Sequence, residues 1–219
     1  MKLYVDRFQG YLARPMLLKS RIPMALLVIP LVCAIMMPLW QISMTAPQYL
    51  EGLYLDIYAY KLVGGNDGYH IKEINTLNHY IGMRPIDDAA AADLDWIPFA
   101  LGALVIMTLR VAAAGTIKDL MDLVVITGYF SIFAFGRFVY RLWVFGHTLA
   151  PDAPVRIKGF MPVIFGHKTV ANFETYSYPQ AGAYFLGTFV LGTTCILLWH
   201  LLVGRREAVR EAERRGATA

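Results

Sequence analysis

Four stretches of this 219-residue chain are apolar over the roughly 20 residues that an α-helix needs to cross a lipid bilayer. They are residues 23–45, 96–114, 120–145 and 182–203. Hydrophobic residues make up 57% of the chain and charged residues only 16%, which is too apolar a composition for a soluble domain of this length. The sequence therefore predicts an integral membrane protein of the all-α class with four transmembrane helices.

The first window is longer than the apolar core of a cleaved signal peptide, so we interpret it as a retained anchor. It contains Pro23, Pro30 and Pro38, and two of these lie well inside the apolar run. A proline inside a helix removes a backbone hydrogen bond and clashes with the preceding turn. We therefore expect a kinked first helix that its neighbours support.

The basic residues predict the orientation of the chain. The lysines and arginines before the first window, around the junction of the second and third, and after the fourth number 12 of the 20 in the chain, but these segments hold only six of the 16 acids. By the positive-inside rule both termini are cytoplasmic. Residues 46–95 and 146–181 then form two extracytoplasmic loops.

The two ends of the chain are predicted to lie at the cytoplasmic surface. Residues 1–22 mix aromatic and aliphatic side chains with basic ones, which predicts an amphipathic helix in the lipid headgroup region. Residues 204–219 interleave Glu and Arg as a charged, solvated tail. Membrane lipid is the expected partner of this basic charge, and no nucleic acid is needed to explain it.

The extracytoplasmic loops carry signals of ordered structure. Residues 53–60 alternate aliphatic with polar or aromatic side chains, which predicts a strand, and the turn residues 64–68 follow. Residues 71–81 then place Ile71, Ile74, Leu77 and Ile81 on one face of a short helix. The second loop is rich in aromatic residues, Gly and Pro, and it predicts an irregular cap with at most one short strand.

The face of this helix opposite the apolar stripe carries possible metal ligands. His79 and Met83 are four residues apart, so a helix through both would point them the same way. Imidazole and thioether suit Cu(I) in an oxidising compartment, which predicts a copper pair. Its coordination is either left open for transfer or completed by further residues of the outer loops, the candidates being His70, His167 and Met161, with His147 and Met44 as alternatives.

The neighbouring amides leave a second interpretation of the same helix. Asn75 and Asn78 either orient the imidazole of a metal site or, with His79, hydrogen-bond the loop to a neighbouring surface while Met83 fills a gap. Arg137 and Arg141, one turn apart in the third window, have two interpretations as well. They either extend to the outer interface beside aromatic residues or pair with acids of the outer loops or with a partner subunit.

Other chemistries find little support in the sequence. The chain contains no GxSxG, HExxH, CxxC or Walker-type string, and no acid lies at the centre of a predicted span. His147 and His200 lie near opposite ends of their spans, so they cannot ligate one b-type haem. The protein is not expected to be an enzyme.

Five short strings of the outer loops carry a resemblance to known proteins. They are EGL at 51–53, EIN at 73–75, LNHYIGM at 77–83, ANF at 171–173 and SYP at 177–179. With these strings the chain resembles a group of bacterial multi-pass membrane proteins associated with the maturation of periplasmic copper enzymes such as nitrous-oxide reductase. The resemblance implies a bacterial inner-membrane location and an accessory role in metal delivery.

Two functions are therefore carried forward from the sequence. The first is a membrane accessory protein that presents a His/Met copper-binding loop to the periplasm for delivery to a partner metalloenzyme. The alternative is an accessory subunit without metal that stabilises a larger membrane complex through a membrane or periplasmic partner protein. A permease is less favoured, because the spans lack polar midpoints.

Overall fold

A computed structural model, which describes residues 8–87, 92–170 and 173–204, has a mixed α/β fold, and the all-α prediction is wrong. The helices are α1 (Leu18–Leu26), α2 (Val28–Met36), α3 (Tyr69–Tyr80), α4 (Trp96–Ala114), α5 (Ile117–His147) and α6 (Ala181–Trp199), the last continued by a π-helical turn at His200–Gly204. The strands are β1 (Trp40–Ala46), β2 (Tyr49–Ile57), β3 (Leu62–Gly64), β4 (Gly166–Val170) and β5 (Phe173–Pro179). They pair into one five-stranded antiparallel sheet, and the second predicted loop contributes β4 and β5 to it, so the prediction of at most one short strand there is wrong.

Among the described residues, four helical stretches are long and apolar enough to cross a membrane, as a multi-pass membrane protein requires. They are Leu18–Met36, Trp96–Ala114, Ile117–His147 and Ala181–Gly204, here called spans 1 to 4. Span 1 ends well before the end of the first apolar window, because residues 40–46 form β1. Apolar residues at 40, 42, 44 and 46 alternate with polar ones there, a strand signal hidden by its continuity with the window.

Span 1 is broken where its prolines predict a kink. Helix α1 ends at Leu26 and α2 begins at Val28, with Leu27 in a turn between them. Pro30 explains the position of the break, because its ring clashes with the carbonyl four residues earlier, that of Leu26. The prediction of a kinked first helix is confirmed.

The chain divides into two compact units. The helical unit consists of Met1–Val32, Gly102–Phe130 and Leu186–Ala219, and the sheet unit consists of Cys33–Leu101 and Ser131–Phe185. Residues 1–7 and 205–219 lie outside the described residues, so the predicted amphipathic helix is described only from residue 8. Residues 8–12 are helical, and the chain then bends before α1 begins.

The helical unit is held together by backbone contacts and small residues. Pro15 forms a β-bridge with Thr116 in the turn between α4 and α5, and Arg21 donates a hydrogen bond to the carbonyl of Ala113 at the end of α4. Gly192 of α6 lies so close to Leu27 that a Cβ atom at residue 192 would be 2.6 Å from a Leu27 methyl carbon. Small residues thus permit close approach of the spans, as expected in membrane helix packing.

The sheet unit is built around β1 and β5. The strand order is β3-β2-β1-β5-β4, and Trp40 at the start of β1 lies opposite both Ile57 and Pro179. Strand β1 follows span 1 and β5 leads into span 4, so the central strands of the sheet join the two loops to the ends of two spans. The Trp40 indole donates a 2.7 Å hydrogen bond to the buried Ser177 hydroxyl of β5.

Helix α3 covers one part of this sheet. Ile74 is buried against Leu55 and Leu53 of β2, and Ile71 and Leu77 pack around them. The predicted apolar stripe therefore does face a core. The residues of that core all lie between 44 and 86, so β1, β2, β3 and the segment around α3 supply it.

An ion-dipole contact fastens α3 to β2. The Tyr49 hydroxyl donates a hydrogen bond to the Glu73 carboxylate. Hydrogen bonds from Tyr49 and Tyr69 hold the pKa of Glu73 below its ordinary value, and the bond to Glu73 raises the pKa of Tyr49 to about 12. The contact therefore stabilises the fold above the ordinary carboxyl pKa, is lost as pH falls through the lowered pKa of Glu73, and is lost at the alkaline end as Tyr49 ionises.

We expect the substitution Tyr49→Phe to lower the unfolding temperature of detergent-purified protein at neutral pH, because it removes the donor to Glu73. The difference from the native protein should shrink as pH is lowered through the pKa of Glu73, since the protonated carboxyl no longer favours the bond. Tyr60→Phe, an exposed residue of the same unit, is the control. A difference that stays constant with pH would contradict this coupling.

Candidate functional site

The predicted copper pair is divided by the end of α3. The helix ends at Tyr80, and Gly82 follows with a left-handed φ of 76°. The Met83 amide donates to the Asn78 carbonyl at 2.8 Å and the Gly82 amide to the His79 carbonyl at 3.2 Å, which is a Schellman motif. Met83 therefore lies beyond the helix, and the helical spacing that would align it with the exposed His79 side chain does not reach it.

The two amide side chains are used to hold the chain after the helix. Asn75 both donates to the carbonyl of Ile86 at 3.0 Å and accepts from its amide at 2.7 Å. The Asn78 amide donates to the Arg84 carbonyl at 3.4 Å. These bonds fasten residues 84–86 to α3, within the same loop, so they are neither bonds to an imidazole nor the predicted bonds to a neighbouring surface.

The remaining predicted ligands are in separate local environments. His70 accepts a hydrogen bond from the Tyr54 amide at 3.1 Å, and His147 stacks on Trp143 with ring centres 4.6 Å apart. His167 lies exposed on the edge strand β4, and Met161 accepts from Lys168 through its backbone carbonyl at 2.9 Å. Within residues 8–87, 92–170 and 173–204, no three His, Cys, Asp or Glu side chains are grouped to hold a metal ion.

The segment around Gly82 has a different structural role, which is to join the two outer loops. The Ala150 amide donates to the Gly82 carbonyl at 2.8 Å, and the Val155 amide donates to the Tyr80 carbonyl at 2.9 Å. A Cβ atom at residue 82 would lie 2.9 Å from the Ala150 oxygen and from the Ala153 side chain. Glycine is therefore required here twice, for its backbone conformation and for the close approach of the second loop.

The two segments that these hydrogen bonds join form the walls of an apolar groove in the sheet unit. Its volume of about 670 Å³ is within the range of ligand pockets. One wall is the end of α3, with Leu77, Tyr80 and Ile81. The other wall is the segment 155–160 of the second loop, whose Phe160 amide is bonded to the Gly146 carbonyl at 3.0 Å. The groove exists only because both outer loops fold together.

The groove lies at the end of the sheet opposite the end that joins spans 1 and 4. Pro47 and Gln48, in the turn after β1, and Phe173, at the start of β5, complete its lining. Strand β1 begins three residues after span 1 and runs for seven residues, so at about 3.3 Å per residue its far end is roughly 20 Å beyond Trp40. Large apolar side chains are exposed along this end of the unit, including Leu50 at 87% and Val155 at 50%. Such exposure is typical of an interaction surface.

The two arginines of α5 pair within the chain. Arg137 donates to both carboxylate oxygens of Asp93 at 3.0 Å, and Arg141 forms an ion pair with the same carboxylate. Tyr140 lies beside the Arg137 guanidinium, 5.9 Å from ring centre to carbon, and stacks with Trp143. Of the two interpretations of these arginines, the structure favours pairing with an acid of the outer loops.

Sequence reasoning missed the groove, because its lining comes from four separated segments and no motif marks it. The partial signal was Gly82 itself, because glycine is typical of the position that follows a helix end. The metal hypothesis assumed that the helical spacing from His79 to Met83 continued through Gly82.

We expect Gly82→Ala to destabilise detergent-purified protein more than Gly68→Ala does. Both glycines have positive φ, of 76° and 87°, so each alanine costs about 1–2 kcal/mol in backbone conformation. Only residue 82 is in close contact with other atoms, which adds about 1–3 kcal/mol of overpacking. Unfolding followed by circular dichroism measures both variants, and equal losses would contradict the close packing of residue 82.

The candidate site consists of the end of α3, a segment of the second loop and the far end of the sheet. Its lining residues carry no signature of a known catalytic centre. The chain matches no known protein-family model, no curated protein and no solved structure.

Proposed function

We propose that this protein is a non-enzymatic accessory subunit of a bacterial inner-membrane complex, in which the four spans hold the sheet unit outside the cytoplasm to bind a partner protein. The observation that carries the proposal is the apolar groove formed by the two outer loops. An apolar groove beside the exposed side chains of Leu50 and Val155 is unfavourable while it is in contact with water. A bound protein partner would cover this surface.

The proposed orientation places both termini in the cytoplasm and the groove on the extracytoplasmic side, and it rests on the distribution of lysine and arginine. With Cys33 and Cys195 replaced by alanine, we expect a membrane-impermeant maleimide to label Gln48→Cys in spheroplasts. Thr218→Cys should be labelled only after lysis. The reverse pattern would contradict the orientation and remove the groove from the compartment we propose.

Copper delivery is a second candidate, and the exposure of His79 is the observation in its favour. The imidazole lies on the last turn of α3, and the described residues provide no hydrogen-bond partner for its ring. The resemblance of the loop strings to proteins of copper-enzyme maturation supports the same function. The separate environments of the other candidate ligands count against a closed site and leave transient binding as the form this function would take.

Purification from native membranes in mild detergent separates the two candidates. The accessory function predicts a partner protein in stoichiometric amount and no bound metal. Copper delivery predicts that Cu(I) titration gives a lower stoichiometry for the double variant His79→Ala, Met83→Ala than for the native protein, because two ligands are lost.

The matched control for the titration is Lys72→Ala with Thr76→Ala, two exposed residues of the same helix. Equal Cu(I) stoichiometry in the native protein and both double variants would dispose of the copper candidate. Protein isolated alone and loaded with metal would dispose of the accessory function.

A further inference from the structure

We infer that the groove binds an apolar segment of the partner protein that carries one acidic side chain, with the carboxylate placed at Lys158. This inference rests on the proposed accessory function and names the part of the partner that the site recognises. The inference depends on the charge of the groove lining, on the distance of the groove from the ends of spans 1 and 4, and on the hydrogen bonds that fix the groove walls.

The charge of the lining selects the chemistry of the ligand. Among the described residues that line the groove, Lys158 is the only charged one, and it lies in a wall with Val155, Ile157 and Phe160. Apolar side chains of a ligand fill such a surface favourably, whereas a cation would be repelled. An ammonium group at the margin of an apolar surface is complementary to a carboxylate, which fixes the register of a bound segment.

The position of the groove favours a protein segment over a lipid. The lining residues Pro47, Gln48 and Phe173 lie at the ends of β1 and β5 opposite those that join spans 1 and 4. That end is separated from Trp40 by the roughly 20 Å length of β1. An acyl chain that remains in a bilayer does not extend that far, so the expected occupant comes from the aqueous side.

The lining also distinguishes a protein segment from a second copy of this chain. A symmetric contact between two copies would place this groove against itself. It would then bring two Lys158 side chains together with no carboxylate of the described lining between them.

The walls are set before binding, so little ordering is required of this protein. Backbone hydrogen bonds join Tyr80 to Val155 and Gly82 to Ala150, and they hold the two walls at a fixed separation. A preorganised groove retains more of the interaction free energy as affinity. A short apolar segment can therefore bind specifically although the groove is small.

Photo-cross-linking of the full-length chain in native membranes tests this inference. With p-benzoylphenylalanine at residue 155, we expect mass spectrometry to identify one cross-linked peptide of a partner protein, apolar in sequence and containing Asp or Glu. Lys158→Glu should lower the yield about tenfold or more, and Lys158→Arg should preserve it, because the charge is retained. The same probe at residue 60, which is 45% exposed in the sheet unit and outside the groove, is the control position.

Charge reversal makes the test specific to the proposed contact. Replacing the acidic residue of the cross-linked peptide by lysine should restore the yield with Lys158→Glu. Cross-links to lipid, to another copy, within this chain or to a peptide without an acid would overturn the inference, as would a yield that Lys158→Glu leaves unchanged. If a partner co-purifies but cross-links only at residue 60, the groove inference fails alone; if no partner co-purifies, the proposed function fails with it.

Discussion

The pairing of β1 with β5 is the interaction on which the rest of the sheet unit depends. These strands are more than 120 residues apart in the chain, yet they are neighbours from Trp40 opposite Pro179 to Thr45 opposite Glu174. The core beneath α3, where Ile74 is buried against Leu53 and Leu55, consists of residues between 44 and 86. The pairing of β1 with β5 adds the strands of the second loop to the same sheet. Two further backbone hydrogen bonds between the loops join the groove walls.

The parts of the fold that follow from local physics could be predicted from the sequence. A bilayer requires long apolar helices, and four such helices are present. Pro30 breaks span 1 at Leu27, and the apolar face of α3 is buried. The sheet could not be predicted in the same way, because strand pairing depends on residues distant in sequence. The alternation of apolar and polar residues in 40–46 was a local strand signal. It continues the first apolar window, however, and composition alone cannot separate the strand period of two from the helical period.

The residues at the end of α3 were compatible with two hypotheses, a metal site and a capped helix end. Asn75 and Asn78 suited an oriented metal site by spacing, and asparagine is also a residue type that bonds backbone groups at helix ends. Spacing arguments hold only as far as the helix continues. Gly82 takes a left-handed backbone conformation, so the helical path ends before Met83. Met83 therefore does not share a helix face with His79. The amide side chains of Asn75 and Asn78 then bond backbone groups of Ile86 and Arg84, which fastens the segment after the helix to α3.

The connections of the central strands give the groove a fixed position within the sheet unit. Gln180 donates to the Leu39 carbonyl at 3.0 Å and Gly182 to the Pro38 carbonyl at 2.9 Å, so the start of span 4 is bonded to the link between span 1 and β1. A Cβ atom at residue 182 would lie within 3 Å of the Met37 and Pro38 oxygens, so this close contact requires glycine. The far end of β1 and β5, where the groove lies, is therefore rigidly linked to the ends of spans 1 and 4 from which these strands continue. The proposed accessory function would use this link, because a partner bound in the groove would be restricted in where it could lie relative to those spans.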